Sequence, residues 1–160
     1  MGQNSIAVDS GAPFLLWKFR SMYQDAEKMR AHLESSNEMQ EGVTFKVKND
    51  PRVTKVGKLI RKLSLDEIPQ LWNVLKGEMS LVGPRPALYS EIEKYSLIQR
   101  QRLDTIPGLT SDWVIAGRSK VCFTRQAELD IDYVHHQSLW RDIKLIFKTI
   151  PSLLSGQGAY

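Results

Sequence analysis

Hydrophobic positions recur at three- and four-residue spacings over much of the chain and alternate only briefly. Met22, Ala26, Met29 and Leu33 are separated in this way with charges between them, which predicts a helix capped by Asp25 and fading in "ESSNEMQEG". Val56, Leu59, Ile60 and Leu63 mark a short helix carrying Lys55, Lys58, Arg61 and Lys62 on its other side. "IPQLWNVLKG" predicts a second helix, closed by a Lys-Gly pair, and "ALYSEIEKYSLIQRQRL" a further one. The last helix spans 139–154 and is interrupted at Pro151, with Leu139, Ile143, Ile146 and Ile150 as its apolar stripe. Strand signals are short: "FLLWKFRSM" at 14–22, and the alternating "VTFKV", ended by the turn residues "NDP". "SLVGPRP" reads as an irregular loop because proline removes backbone donors, "IPGLT" as a turn, and "DWVIAG" as an extended segment. The sum is a mostly helical single α+β domain with a small β-hairpin or strand pair.

Composition narrows this picture only moderately. A chain of 160 residues, 42% hydrophobic and 25% charged, suits one domain with a modest core. The net charge of +4 favours anionic partners, among which phosphate groups, anionic lipid and nucleic acid stay open. The single Cys122 excludes an internal disulfide and matches no zinc spacing with the adjacent His135 and His136. No window approaches the ~20 apolar residues that span a bilayer, so the chain reads as soluble or peripheral. Nucleic-acid binding would need a basic patch with stacking aromatics, whereas the aromatics here sit at apolar periodic positions, with Trp72, Trp113 and Trp140 expected in the core.

Candidate chemistry centres on "LSLDEIPQLW". Ser64 and Glu67 have the spacing of a capping box, and Asp66 could itself cap with Pro69 in the first turn. Either way both acids lie near a helix N-terminus, where the macrodipole favours an ionised Asp66. Such a carboxylate can cap, bind a metal or attack an electrophile. Arg85 in "GPRP" is held between two prolines, suited to clamping a phosphate or to pairing with an acid in a turn. Lys18 and Arg20, two apart in a strand, would share a face. Asp142, at the edge of the last helix's apolar stripe, needs a partner: an arginine of another helix, or a site shared with Asp66 and Glu67.

The run "KVGKLIRKLSLDEIPQLWNVLKGEMSLVGPRP" resembles the core signature of the bacterial sugar transferases, the monotopic phosphoglycosyl transferases. "KFRSM", "PGLT", "GRS" and "LWRDIKLIFKTIPSLLSGQGAY" extend the resemblance over 12–160. It implies transfer of a sugar phosphate from a UDP-sugar to polyprenol (undecaprenyl) phosphate through a covalent phosphosugar on Asp66, with release of UMP, in polysaccharide or glycoconjugate assembly. By the same resemblance Glu67 binds Mg²⁺, Arg85 holds a phosphate, Lys18 and Asp142 complete the site, and Arg20 and Arg118 are further substrate contacts. An acyl phosphate needs an ionised carboxylate and cations around the phosphoryl group, which agrees.

Two departures stand out. The family's membrane-dipping helix has no counterpart, and residues 1–11 form a variable segment in its place, ahead of a catalytic domain at 12–160. The family works at the cytoplasmic face of the bacterial inner membrane, and the amphipathic last helix could touch that surface. Apolar surface left where the absent helix docks leaves a homo-oligomer open. The family's "TGLWQV" is "TSDWVI" here, at 110–115. The alternative to an enzyme is a non-catalytic interaction or membrane-surface module of the same fold.

Overall fold

The computed structural model describes residues 5–9, 12–33, 37–38, 43–118 and 121–155. It is a mostly helical α+β domain, as expected. Strands β1 (Ser5–Asp9) and β2 (Ala12–Leu16) form an antiparallel hairpin, and β4 (Ala87–Leu88) joins the free side of β1. Ala7, Leu16 and Met79 make one buried cluster there, with Phe14 and Val74 packed on it. The strand expected over 14–22 thus lies earlier, ending at Leu16, and the chain beyond it runs without a ladder to a single bridge between Met22 and Val53. The helix expected from 22 to 33 reduces to turns and the four-residue α1 (Arg30–Leu33).

"VTFKV" forms no strand. Its Phe45 ring is covered instead by the guanidinium groups of Arg52 and Arg30, 4.9 and 5.3 Å from the centroid. Helix α2 (Lys55–Lys62) starts where Thr54 Oγ1 accepts from the Gly57 amide at 2.8 Å. Gly57 meets the Ser21 carbonyl so closely that a Cβ would stand 1.9 Å from it, so only glycine lets α2 pack there. The apolar stripe of α2 does not face the core: Val56, Leu59 and Leu63 are exposed. Helix α3 (Gln70–Leu75) is likewise open at Leu71, Trp72 and Leu75, and it buries Gln70 and Asn73. Its end at Lys76 and Gly77, with Gly77 at φ 77°, is the one the sequence predicts.

Strand β3 (Ser80–Val82) pairs in parallel with β5 (Gly108–Thr110), where a loop and a turn were expected. Three residues each are too few to show a period. Between 87 and 103 the expected single helix is broken into β4, α4 (Tyr89–Ile92), α5 (Leu97–Arg100) and a 3₁₀ turn, Gln101–Leu103. The restart at α5 is a capping box: Ser96 Oγ accepts from the Gln99 amide, and Gln99 Oε1 accepts from that of Ser96. "DWVIAG" holds a helical turn, α6 (Asp112–Ile115), in place of the extended segment.

Helix α7 (Phe123–His135) has no counterpart in the hydrophobic pattern because its buried face is mixed: Phe123, Gln126, Ala127, Asp130 and Tyr133. Helix α8 (Leu139–Ser155) is the expected last helix, and Pro151 lies inside it. Its inner face runs through Leu145 and Thr149, rotated from the expected stripe, so that Leu139 and Ile150 are exposed. Thr149 is tolerated there because its hydroxyl bonds both Thr110 Oγ1 and the Leu145 carbonyl at 2.7 Å. Of the three tryptophans expected inside, Trp72 and Trp140 are more than half exposed.

Candidate active site

A 3₁₀ turn, Leu65–Glu67, links α2 to α3. Ser64 enters it in the left-handed region at φ 54°, a conformation that costs a non-glycine residue free energy and clusters at functional sites. The Ser64 side chain makes no cap, and Pro69 is itself the residue flanking α3, so neither expected capping arrangement forms. Glu67 reaches across the chain instead and accepts from Lys18 Nζ at 2.8 Å. Backbone bonds fix that approach: the Phe19 amide donates to the Asp66 carbonyl at 3.0 Å, and the Trp17 amide to Asn73 Oδ1 at 3.2 Å. Asn73 is fully buried and spends its amide on the Leu15 carbonyl and on Glu78 Oε2, both at 2.7 Å.

The two acids are tuned in opposite directions. Burial, then the neighbouring Glu67 charge, raises the Asp66 pKa above its ordinary value, with Lys18 and Arg61 pulling the other way. The helix-end effect expected from the sequence is outweighed. Burial also works against the charge on Glu67, but the Lys18 ammonium together with the Arg85 and Arg118 charges more than offsets it, holding the Glu67 carboxyl below the ordinary range.

Facing this turn is a cavity of about 790 Å³ whose lining includes Lys18, Asp66, Glu67, Arg85 and Arg118. Arg85 stands exposed between the buried Pro84 and Pro86. Arg118 follows Gly117 at φ 130° and is itself left-handed at φ 52°, like Ser64 a non-glycine residue in that region among the described residues and again on the cavity wall. Arg61 and Lys46 line it too. Arg61 was assigned from the sequence to an outer basic face, yet its Nε donates to Ser21 Oγ at 2.8 Å. Burial and the charges of Arg85, Arg118 and Arg61, partly countered by Glu38, push the Lys46 ammonium down to about 8. Asp50 and Arg52 form a buried ion pair at the same wall. No periodicity marks Lys46 as functional: in the alternating "VTFKV" it shares the polar face with Thr44, the face expected to meet solvent.

Arg20 is exposed and does not line the cavity, because the segment after β2 is not a strand and does not put Lys18 and Arg20 on a common face. Asp142 lies outside the lining as well. It accepts from Tyr133 Oη at 2.8 Å and helps fasten α7 to α8, while burial and that bond push the Tyr133 hydroxyl up. Its neighbour Arg141 bridges Asp112 at 2.8 Å and Asp132 at 2.6 Å over the Tyr133 ring. The unusual Asp112 of "TSDWVI" is therefore the α6 anchor for α8, and Ser111, Trp113 and Val114 face the cavity.

Among the described residues no three Asp, Glu, His or Cys side chains converge as a metal cage. Asp66 and Glu67 still offer hard oxygen donors side by side, a set that fits a cation sharing its remaining positions with phosphate oxygens and water. Cations in the lining (Lys18, Lys46, Arg52, Arg61, Arg85, Arg118) outnumber acids (Asp50, Asp66, Glu67, Glu91), so the cavity suits an anionic ligand.

Comparison with known proteins gives this geometry a context. The family model for bacterial sugar transferases matches residues 2–156. The galactosyl transferase CpsE of Streptococcus agalactiae is 48% identical over 151 residues, covering 94% of this chain and 33% of that protein. The undecaprenyl-phosphate galactose phosphotransferase of Salmonella typhimurium is 43% identical over 153 residues, covering 94% and 32%. The exopolysaccharide production protein ExoY of Rhizobium meliloti is 41% identical over 156 residues, covering 94% and 68%. The chain thus spans about a third of the length of the first two.

Proposed function

The chain belongs to the bacterial sugar transferase family, and from that premise we propose that it carries the catalytic site for moving a sugar 1-phosphate from a UDP-sugar to polyprenol phosphate. The observation that carries the reading is the pairing of a buried Asp66 with a Lys18-held Glu67 in a cavity lined by Arg85 and Arg118. An Asp66 oxygen attacks the β-phosphorus of the nucleotide sugar, a P–O bond to the carboxylate forms, the anhydride bond breaks, and UMP leaves with the electron pair. A polyprenol phosphate oxygen then attacks the same phosphorus and the acyl phosphate bond breaks, returning Asp66 as a carboxylate. A raised pKa makes Asp66 the more basic nucleophile, while Lys18 and Arg61 offset the repulsion between its charge and a phosphoryl group. Lys18 also keeps Glu67 ionised and oriented. Arg85 presents a fork of donors to the phosphoryl oxygens, and Arg118 offers a second. Glu67, with Asp66 beside it, would hold Mg²⁺, which supplies charge neutralisation at the diphosphate.

A lipid acceptor fits the face beside the turn. Phe19, Leu65, Ile68, Leu71 and Trp72 are exposed next to α2, whose open Val56 and Leu59 alternate with Lys55 and Lys58. We assign the membrane-facing side to this ridge on the cytoplasmic leaflet. No helix among the described residues is long and apolar enough to cross a membrane.

Intact-protein mass after mixing with Mg²⁺ and a panel of UDP-sugars tests the chemistry. A sugar-phosphate adduct is expected on the wild type and not on Asp66→Asn. An adduct retained by Asp66→Asn, or none with any sugar on protein shown to melt cooperatively, would overturn the reading.

A further inference from the structure

Among the described residues three side-chain amides are buried: Asn73, Gln70 and Gln126, the last two 3% exposed. Two of them are used up by the protein. Asn73 donates to the Leu15 carbonyl and Glu78 Oε2, and Gln126 Nε2 donates to the Val121 carbonyl at 2.7 Å. Gln70 lines the cavity, and its side chain makes no hydrogen bond among the described residues. A buried amide without a partner costs free energy, so stability does not account for its place there.

Its position along the chain indicates which part of a nucleotide sugar it meets. The backbone keeps to the right-handed helical region through Ile68 and Pro69, which sets Gln70 about one turn beyond Asp66, ~6–8 Å along the axis. Both residues line the same cavity. In a UDP-sugar a single oxygen joins the sugar to the phosphorus that Asp66 attacks, whereas the uracil lies beyond a second phosphate and the ribose. A group one turn from Asp66 therefore meets the sugar first. Bonding capacity points the same way. Phosphoryl oxygens only accept and are matched by Lys18, Arg85 and Arg118, and a prenyl chain has nothing to bond. A sugar hydroxyl donates and accepts at once, as an amide does.

We propose that Gln70 is a substrate-binding residue whose side-chain amide bonds hydroxyls of the sugar carried on the β-phosphate. This rests on the reading of the cavity as the nucleotide-sugar site, but not on the transfer step.

Dissociation constants of a UDP-sugar and of UDP test it, measured with Mg²⁺ on Asp66→Asn, which does not consume the substrate, with and without Gln70→Met. UDP lacks only the sugar, and Met keeps the length of Gln without its donors or acceptor. The probe is whichever of UDP-glucose, UDP-galactose and their N-acetylamino counterparts binds most tightly. Gln70→Met is expected to weaken the UDP-sugar about tenfold and UDP less than about twofold. A loss for the UDP-sugar less than about threefold greater than that for UDP, as a nucleotide contact or a distorted cavity would give, overturns the proposal. So does an Asp66→Asn protein that binds none of the UDP-sugars. A sugar-specific loss on a chain that forms no adduct upholds the proposal and overturns the transfer reading alone, while an adduct on the wild type without that loss does the reverse. Because Gln70 bonds no described protein group, Gln70→Met is expected to melt no more than about 4 °C below its parent. A larger drop, shared by Gln70→Ala, makes the amide structural and overturns the proposal; if only Gln70→Met is destabilised, Gln70→Ala takes its place in the binding measurement with the same expectations.

Discussion

The side of the molecule built by α2, the 3₁₀ turn and α3 turns Val56, Leu59, Ile68, Trp72 and Leu75 outward, whereas the side built by α7 and α8 turns Gln126, Asp130 and Thr149 inward. On the first side Asp66, Gln70 and Asn73 point inward; on the second each buried polar group named has a hydrogen-bond or ion-pair partner. The interior around the cavity is therefore polar on both sides. On the α7–α8 side a polar residue is buried where it finds a partner, whatever its hydropathy.

That contrast can be broken first at Arg102. Replacing it with Met leaves Asp130 buried without its cation, and the expected loss of stability is on the order of 3–5 kcal/mol by chemical denaturation. A loss under about 1 kcal/mol would mean that the inward polar face is not held by its pairing. A matched pair of truncations sharpens the comparison. Leu145, 4% exposed, should lose roughly 2–5 kcal/mol as Leu145→Ala, whereas Leu75, 79% exposed, should change by no more than about 0.5 kcal/mol as Leu75→Ala. Equal losses would show that the ridge is packed against something in solution.

The smallest effect is in titration midpoints. Carbon-detected titration is expected to place Asp130 at about 6 and Asp66 above 3.8, but Glu67 below 4.5, and Lys18→Met should raise the Glu67 midpoint. Between about 4 and 6 the folded chain keeps a proton on Asp130 that the unfolded chain has released, so this group's contribution to stability falls as pH rises through that window. Glu67 acts oppositely: its contribution is present above its unfolded value and lost as pH falls through its depressed one. Asp66 and Glu67 titrating together on the same side of their ordinary values would refute the opposed environments.

Much of this was legible before the fold. The α2–α3 tandem, the Lys-Gly stop and the last helix followed from periodicity and caps. Five of the seven residues named for the site line one cavity: Lys18, Asp66, Glu67, Arg85 and Arg118. Periodicity could not say which side of α2 faces in, because it groups residues by likeness and not by neighbour. It missed α7 because Gln126 and Asp130 interrupt the apolar recurrence, and it rotated α8 because Thr149 is buried through two hydrogen bonds. β3 and β5 are short and paired across more than twenty intervening residues, so no local signal announces them. The resemblance assigns Asp142 to the site and its burial calls for an arginine of another helix or for that site; the partner the structure gives it is Tyr133, on the helix the hydrophobic pattern does not show.

The Lys18–Glu67 pair joins positions separated by 49 residues, and the Trp17–Asn73 bond spans 56. Closing a loop of that size costs on the order of 3 kcal/mol of chain entropy before either contact forms. The turn of Asp66 is set by α2 and α3 alone, but the Lys18 charge beside it comes from the non-strand segment that leaves the hairpin. The opposed tuning of Asp66 and Glu67 is thus a property of the closed chain and not of the turn that carries them.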